Sequence, residues 1–412
     1  MIHVLSTPVI YSLEITPVCN NRCRGCSNIF AEAREAHTVP PPLGAAEWSV
    51  ILERIAPHTE QLKLTGGEPT LHPEFETIVR RASDLGLHFS LFTNARWLDP
   101  ERLIRFLLEI PQCVGLLISL HGPSAPIHES FTGIVGSFAE TVTNIKLATS
   151  AGLLVATSTV ITRQNHDQIA AIAALADDLG ADHAVISRYL GAPLPDLEPS
   201  ADELLSAVHA IEELRRTGAQ VRYGDCVPQC FVENSSTGCL AGVAYCAVDP
   251  WGNLRPCNHS PTVAGSLLEQ PVEPLWHSAA MEHWRGMIPV TCHTCAEFSR
   301  CHGGCRALVE LRPEQRDPLV GAPLTQVHPP KQIRLHKGLR PVRQHRIRQE
   351  DFGYVLMRGN RVVPISVEDK PILDACDGRA TLHQIEQSFG QRGLGLVAAL
   401  YQKGLLELEP AD

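Results

Sequence analysis

Val9 to Cys26 reads VIYSLEITPVCNNRCRGC, and Gln61 to Pro69 reads QLKLTGGEP. Each starts as a short apolar, partly β-branched run and breaks into a loop that carries chemistry. The first loop holds Cys19-x3-Cys23-x2-Cys26; the second is Gly66-Gly67-Glu68-Pro69. Both runs predict strands, Val9 to Thr16 and Gln61 to Thr65. Four more follow at His88 to Thr93, Val114 to Leu120, Leu153 to Val160 and Asp182 to Arg188. Between them, Trp48, Ile51, Leu52 and Ile55, then Phe75, Ile78, Val79 and Ala82, fall at helical i, i+3, i+4, i+7 spacing. Leu103, Leu107 and Ile110, and Ile169, Ile172, Ala173 and Ala176, repeat the stripe at lower contrast. Strands alternating with amphipathic helices predict a parallel α/β sheet. A closed eight-stranded barrel takes about 250 residues, more than Val9 to Arg188 supplies, so a partial, open (β/α)6 barrel is expected.

The chain has 412 residues, 44% of them apolar, enough for two or three domains with large cores. It has no run of about 18 apolar residues, and Met1 to Thr16 lacks a basic segment followed by an apolar one; neither a membrane span nor an export signal is expected. A cytoplasmic protein follows. A net charge of -10 argues against a general nucleic-acid surface, which needs clustered positive charge. Of the 14 cysteines, three lie in Cys19–Cys26, nine in Cys226–Cys305, and only Cys113 and Cys376 elsewhere. A long chain without an export signal keeps its thiols reduced, so clustered thiols point to metal rather than disulfides.

The first expected domain, 1–224, is the barrel with a bridging helix at Ala201 to Arg216. The Cys-dense region, 225–310, has few regular apolar runs, and bound metal is expected to substitute for an ordinary core. A Pro-rich and basic linker, 311–349, is expected to be extended, with Lys331 to Gln349 a solvated tether or a docking strip. The tail, 350–412, reads as a small winged-helix-like α+β module. A hairpin, Phe352 to Arg358 and Arg361 to Ile365, turns at Gly359-Asn360, and Thr381 with Gln384 makes a helix capping box.

Three thiolates cannot complete a four-iron cube, because each iron of a 4Fe-4S cluster needs one outside ligand. The loop therefore leaves one iron open to a small molecule; a zinc site is the alternative that spacing alone permits. The Gly-Gly-Glu-Pro loop after the second strand offers close backbone approach and an acceptor in Glu68. Together these motifs resemble the radical S-adenosylmethionine (SAM) superfamily. The resemblance implies that Cys19, Cys23 and Cys26 hold a 4Fe-4S cluster whose open iron binds SAM. It also implies that Gly66, Gly67, Glu68 and Pro69 receive the methionine amino group, and that Thr93, Asn94 and Ser119 contact the nucleoside. Ser119-Leu120-His121-Gly122 departs from the Ser-x-Asp-Gly common among relatives. His121, His259 and Arg188 read as structural or polar-lining residues.

Cys239-x12-Gly252-x4-Cys257 followed by Cys292-x2-Cys295-x5-Cys301-x3-Cys305 resembles the SPASM extension, which implies two auxiliary 4Fe-4S clusters. By that resemblance Cys239, Cys246, Cys257 and Cys305 hold the first, and Cys292, Cys295 and Cys301 the second. The usual further cysteine beyond Cys305 is missing; Cys230 or Cys226 is the replacement, or the second cluster has an open iron. The tail, with Asp377-Gly378-x-x-Thr381, resembles a PqqD-like peptide-recognition element, which captures a leader peptide by strand addition. The whole implies an enzyme that cleaves SAM reductively to a 5'-deoxyadenosyl radical and modifies a ribosomally made precursor peptide by crosslinking or epimerisation. Its partners would be that peptide and an electron donor such as flavodoxin or ferredoxin. The alternatives are an enzyme of the same superfamily acting on a small molecule such as a tetrapyrrole, and an iron-sulfur redox regulator with a winged-helix tail.

Overall fold

Six of the runs become parallel strands paired in chain order: β1 (Ile10–Glu14), β2 (Gln61–Thr65), β3 (Phe89–Thr93), β4 (Cys113–Ser119), β5 (Val155–Val160) and β6 (His183–Ser187). The crossovers hold α1 (Ala45–Ile55), α2 (Phe75–Asp84), α3 (Pro100–Leu108), α4 (Ala125–Thr132), α5 (Ser137–Ser150) and α6 (Ile169–Asp178). This computed structural model describes residues 2–26, 28–31, 40–233, 238–325 and 335–410. The predicted stripes are the buried ones, Trp48, Ile51, Leu52 and Ile55 on α1 and Phe75, Ile78, Val79 and Ala82 on α2. Helices seal one face of the sheet, where Leu62, Leu64, Phe89, Leu91, Leu116 and Ile118 are at most 3% exposed. Each such side chain contributes about 1.5–3 kcal/mol. On the opposite face Lys63, Ser90, Phe92, Leu117 and Ser119 keep partial exposure. That face lines the open barrel.

The sheet does not stop at six strands. After α7 (Ala201–Arg216), β7 (Val221–Tyr223) joins β6, while β8 (Tyr245–Val248) pairs parallel with β1 at the other edge. Beyond β8 lie β9 (Asn253–Arg255) and β10 (Gly265–Ser266), both antiparallel to their neighbours. Among the described residues this makes a ten-stranded sheet ordered β10-β9-β8-β1-β2-β3-β4-β5-β6-β7. Strands of two to four residues are too short for alternation to announce them. The Cys-dense region thus grows from the barrel's own sheet, and it has an apolar core: Leu254, Leu267, Trp276, Met281 and Trp284 are at most 1% exposed. Metal does not replace packing there, as the sparse apolar pattern had suggested.

By its internal contacts the chain divides into two units, Thr7–Gln326 with Met1–Ile2, and Val327–Asp412 with His3–Ser6. In the second, β11 (Arg340–Arg343) pairs with the chain's last strand, Leu406–Glu409, and β12 (Arg346–Glu350), β13 (Gly353–Arg358) and β14 (Arg361–Ile365) form a three-stranded antiparallel sheet. A helix at Leu382–Gln402, capped by Thr381 and Gln384 and broken at Gly390, buries Ile385, Val397 and Leu400 in one core with Leu356, Leu373 and Leu405. Much of the segment read as a tether is therefore strand. Arg340, Arg343, Arg346 and Arg348 interrupt Pro341, Val342 and Ile347, so no apolar alternation announces these strands. Lys331 and Arg334 lie outside the described residues. In the earlier part of the 311–349 segment, Asp317 is fully buried.

Candidate metal and cofactor centre

The Cys19–Cys26 loop leaves the carboxyl end of β1 and is held down on two sides. Arg22 and Arg24 N–H groups donate to Thr132 O and Phe131 O, both at 2.9 Å. Gly25 is pressed against Leu197, Phe131 and Tyr189, where an added Cβ would come within 2.5 Å of Leu197 Cδ2. From the other side, Gly67 N donates to Thr16 O and Glu68 N to Val18 O, both at 2.7 Å. The two glycines serve this contact. A Cβ on Gly66, whose φ is +145°, would lie 2.4 Å from Thr16 O, and one on Gly67 would lie 2.1 Å from Val18 O. The expected space for a ligand is thus filled, at the Cβ positions, by the backbone of the thiol loop itself. Gly67→Ala should push that loop off the sheet and lower anoxic iron content by about four atoms per chain, measured against the total protein.

Glu68 is placed differently from the sequence expectation. It is completely buried, with Oε1 accepting from Thr70 Oγ1 at 2.7 Å, Thr93 Oγ1 at 2.8 Å and Thr70 N at 3.3 Å, and Oε2 accepting from Asn94 N at 2.8 Å. Three donors crowd Oε1 and one reaches Oε2, so Glu68 joins the second and third strand loops and keeps one acceptor position on Oε2. Burial pushes its carboxyl up, against the pull of Asn94, Thr70 and Thr93. Thr93 Oγ1 also accepts from Ala95 N and Trp97 Nε1, which spends it on the same network. Asn94 Nδ2 reaches Asn20 Oδ1 at 2.7 Å and Cys19 Sγ at 3.6 Å. Of the three residues expected to touch a nucleoside, Thr93 is thus engaged by Glu68, Ala95 and Trp97, and Asn94 by the thiol loop. Ser119, at the end of β4, faces the open barrel. His121 is buried with its pKa pushed down to about 3 by desolvation and then by His128, so it stays neutral and structural.

The nine cysteines from 226 to 305 sort into two groups of four and one outlier. Cys226, Cys257 and Cys305 are buried together, with Cys239 against them. Contact with Cys239 and Cys305 and the neighbouring Arg188 guanidinium pull the Cys226 thiol down; that contact and burial push Cys239 and Cys305 up. Arg188 pairs with Asp317 through two hydrogen bonds of 2.8 and 2.6 Å, and Asp317 Oδ2 also accepts from Cys305 N at 2.8 Å. Nothing in the Pro-rich context of Asp317 signalled this role. The second group is Cys230, Cys292, Cys295 and Cys301, which line one pocket with Phe298 and Gly321. Cys246 belongs to neither. It is fully buried on β8 between Tyr245 and Ala247, and strand alternation turns it away from the side on which Tyr245 reaches Asn258. The expected first set therefore loses Cys246 and gains Cys226.

The donors suit iron-sulfur ligation. Backbone N–H groups donate to Cys19, Cys239 and Cys257 Sγ from Asn21, Ala241 and His259 at 3.3–3.4 Å, and to Cys230 and Cys295 Sγ from Gly321 and Leu324 at 3.3 and 3.4 Å. Such bonds stabilise thiolate sulfur and tune cluster potential. Among the described residues no three His, Cys, Asp or Glu groups converge at the spacing a single metal ion requires. The second set instead shares the lining of one pocket.

Residues 13–176 match the radical SAM superfamily, and residues 239–305 match SPASM, an iron-sulfur cluster-binding domain. The chain is 27% identical over 340 residues to an AdoMet-dependent heme synthase of Methanosarcina barkeri, covering 74% of this chain and 93% of that one. It is 29% identical over 326 residues to the mycofactocin maturase MftC of Mycobacterium ulcerans, covering 74% and 85%. Its fold is similar to Streptococcus suis SuiB bound to S-adenosylmethionine, with a TM-score of 0.63 at 17% identity over 77% of this chain and 78% of that one. With the thiol loop and glycine motif on the first two parallel strands and nine further thiols from Cys226 to Cys305 beyond β7, the chain carries a radical SAM domain followed by a SPASM domain.

Proposed function

We propose that this enzyme modifies a ribosomally made precursor peptide, forming a crosslink such as a thioether or carbon–carbon bond, or inverting a stereocentre. The observation that carries the reading is the second unit: a three-stranded antiparallel sheet ordered β12-β13-β14 leaves two strand edges without a partner in that sheet, which suits capture of a leader peptide by strand addition. The likeness to MftC supports it. When bound, the cluster and SAM supply a 5'-deoxyadenosyl radical that takes hydrogen from a peptide carbon.

The chain's own residues do the rest. Cys19, Cys23 and Cys26 hold the cluster, and the Thr65–Pro69 backbone and Asn94 fix that loop. Main-chain carbonyls of the glycine motif take the methionine amine, with Glu68 holding the loop that presents them. Ser119 and its neighbours line the space in which the peptide carbon is oriented and kept from water. Cys226, Cys239, Cys257 and Cys305 hold one auxiliary cluster and Cys230, Cys292, Cys295 and Cys301 the other. They would pass surplus electrons to or from a small flavin or iron-sulfur protein.

The likeness to a heme synthase favours a second reading, a tetrapyrrole or other small molecule as substrate. Removing the second unit separates the two. The cut belongs before Val327, not after Gln349, because Arg340–Arg343 and Arg346–Glu350 are strands of that unit. Expected by mass spectrometry and product analysis is loss of modification of a short peptide encoded beside the enzyme, while SAM cleavage without substrate persists. Small-molecule turnover unaffected by the cut would support the second reading instead.

A further inference from the structure

Lys63 sits at the middle of β2, on the face that lines the open barrel, beside Ser12 on β1 and Ser90 on β3. Its ammonium lies 4.9 Å from the Tyr245 ring centroid and 5.7 Å from that of Phe92. Among the described residues no carboxylate comes within ion-pair distance of it. Glu14, two residues beyond Ser12 on β1, is engaged by Arg255 and by Asn258 Nδ2 at 2.9 Å. Ser90, Leu117, Ser119, Ser158, Val185 and Ser187, which follow on the same face, are uncharged. Burial pushes the Lys63 amine down to about 8, with only the Cys239 sulfur opposing it.

Two aromatic faces steady a cation but accept none of its three N–H bonds in the way an oxygen does. An interior ammonium without an anion is costly, and the cost is relieved if the anion arrives with a ligand. Lys63 is also well placed for a substrate, two residues before Thr65-Gly66-Gly67 on one side and within electrostatic reach of Cys239 on the other. We propose that Lys63 receives a carboxylate of the peptide substrate and so positions the reacting residue between the Cys19–Cys26 loop and the Cys239 set. The carboxylate is either an acidic side chain or the peptide's own terminus. This rests on the peptide reading above only in requiring that a peptide enter the barrel.

Anoxic calorimetric titration of the full-length, iron-loaded enzyme with SAM tests it. Three probes are used: N-acetylglutamate α-methylamide, N-acetylalanine, and the neutral N-acetylglutamine α-methylamide. At least one of the two acids is expected to bind about tenfold tighter than the neutral amide, the worth of a charged hydrogen bond. Which acid gains names the source of the carboxylate. Lys63→Met should erase the preference and Lys63→Arg keep it, with unchanged iron content showing that both fold; Lys63→Gln replaces Lys63→Met if the latter loses iron. Equal binding of all three probes by the unmodified enzyme overturns the proposal, as does a preference that survives removal of the charge. If Lys63→Met shifts only the midpoint potential of an auxiliary cluster, Lys63 is a counter-charge to the Cys239 set and the proposal fails. None of these outcomes depends on whether the precursor peptide gains or loses mass when the second unit is removed, so the two readings fail separately.

Discussion

Alanine at Cys19, Cys23 or Cys26 is expected to abolish 5'-deoxyadenosine formation and to lower anoxic iron from about 12 to about 8 atoms per chain. The size of the effect follows from the loop's construction. Each thiol is held by backbone that a substitution elsewhere cannot replace: the loop is bonded to Phe131 and Thr132 on one side and to Gly67 and Glu68 on the other. No other cysteine is in the loop, and Asn94 is the neighbour that reaches Cys19 Sγ, offering an N–H rather than a ligand. A three-thiol site that loses one thiol cannot recruit a fourth from its surroundings. Serine at the same positions should do the same, because a hydroxyl is a poor iron ligand near neutral pH. The control is Cys376→Ala: Cys376 is fully buried in the second unit, where its Sγ donates to Ile372 O at 3.2 Å. That variant should keep full iron content and full SAM cleavage. Retained turnover in the Cys19, Cys23 and Cys26 variants would remove the basis for the whole functional reading.

What could be read beforehand and what could not differ by physical kind. The six parallel strands and their helices were legible because apolar periodicity is a local property, and Trp48–Ile55 and Phe75–Ala82 show it without reference to anything else. The thiol loop and glycine motif were legible for the same reason, as spacings within one segment. The job done by each glycine was not: Gly66 and Gly67 are small because Thr16 and Val18 pass over them, a contact between segments some fifty residues apart in the chain. That Glu68 also joins two loops shows only when its four donors are counted, since its donor residues, Thr70, Thr93 and Asn94, come from both. Lys63 looks like an unremarkable polar position in an alternating strand. Only the register with β1 and β3 and the approach of Tyr245 from β8 show that it faces inward without an anion. Asp317 is similar: a single acid in a Pro-rich stretch, decisive only because Arg188 and the Cys305 N–H converge on it.

The cysteine assignment is where strand geometry alters the chemistry most, and it gives the second large expected effect. Cys246 is implied as a member of the first auxiliary set, with Cys239, Cys257 and Cys305, by the resemblance to SPASM. Its strand turns it into the sheet's sealed side, where burial alone acts on its thiol and raises it well above the usual range. Cys246→Ala should therefore keep all of the iron and lose only a modest part of the stability. Cys226→Ala should cost the first auxiliary cluster, since Cys226 contacts Cys239 and Cys305. Cys230→Ala should cost the second, by about four irons or by conversion to a three-iron cluster visible by electron paramagnetic resonance. No cysteine after Cys305 other than Cys376 exists to complete that set, so the fourth thiol has to come from before it. Cys230 lines the same cavity as Cys292, Cys295 and Cys301 and accepts from the Gly321 N–H. One five-residue segment, Cys226 to Cys230, thus gives a thiol to each auxiliary site and links them covalently. If Cys246→Ala lost a cluster while Cys230→Ala kept twelve irons, both the ligand sets and this linkage would be wrong. The expected pattern, with neither auxiliary site left open by a missing thiol, assigns both clusters to electron transfer and leaves the Cys19–Cys26 loop as the place where an iron stays free to bind a small molecule.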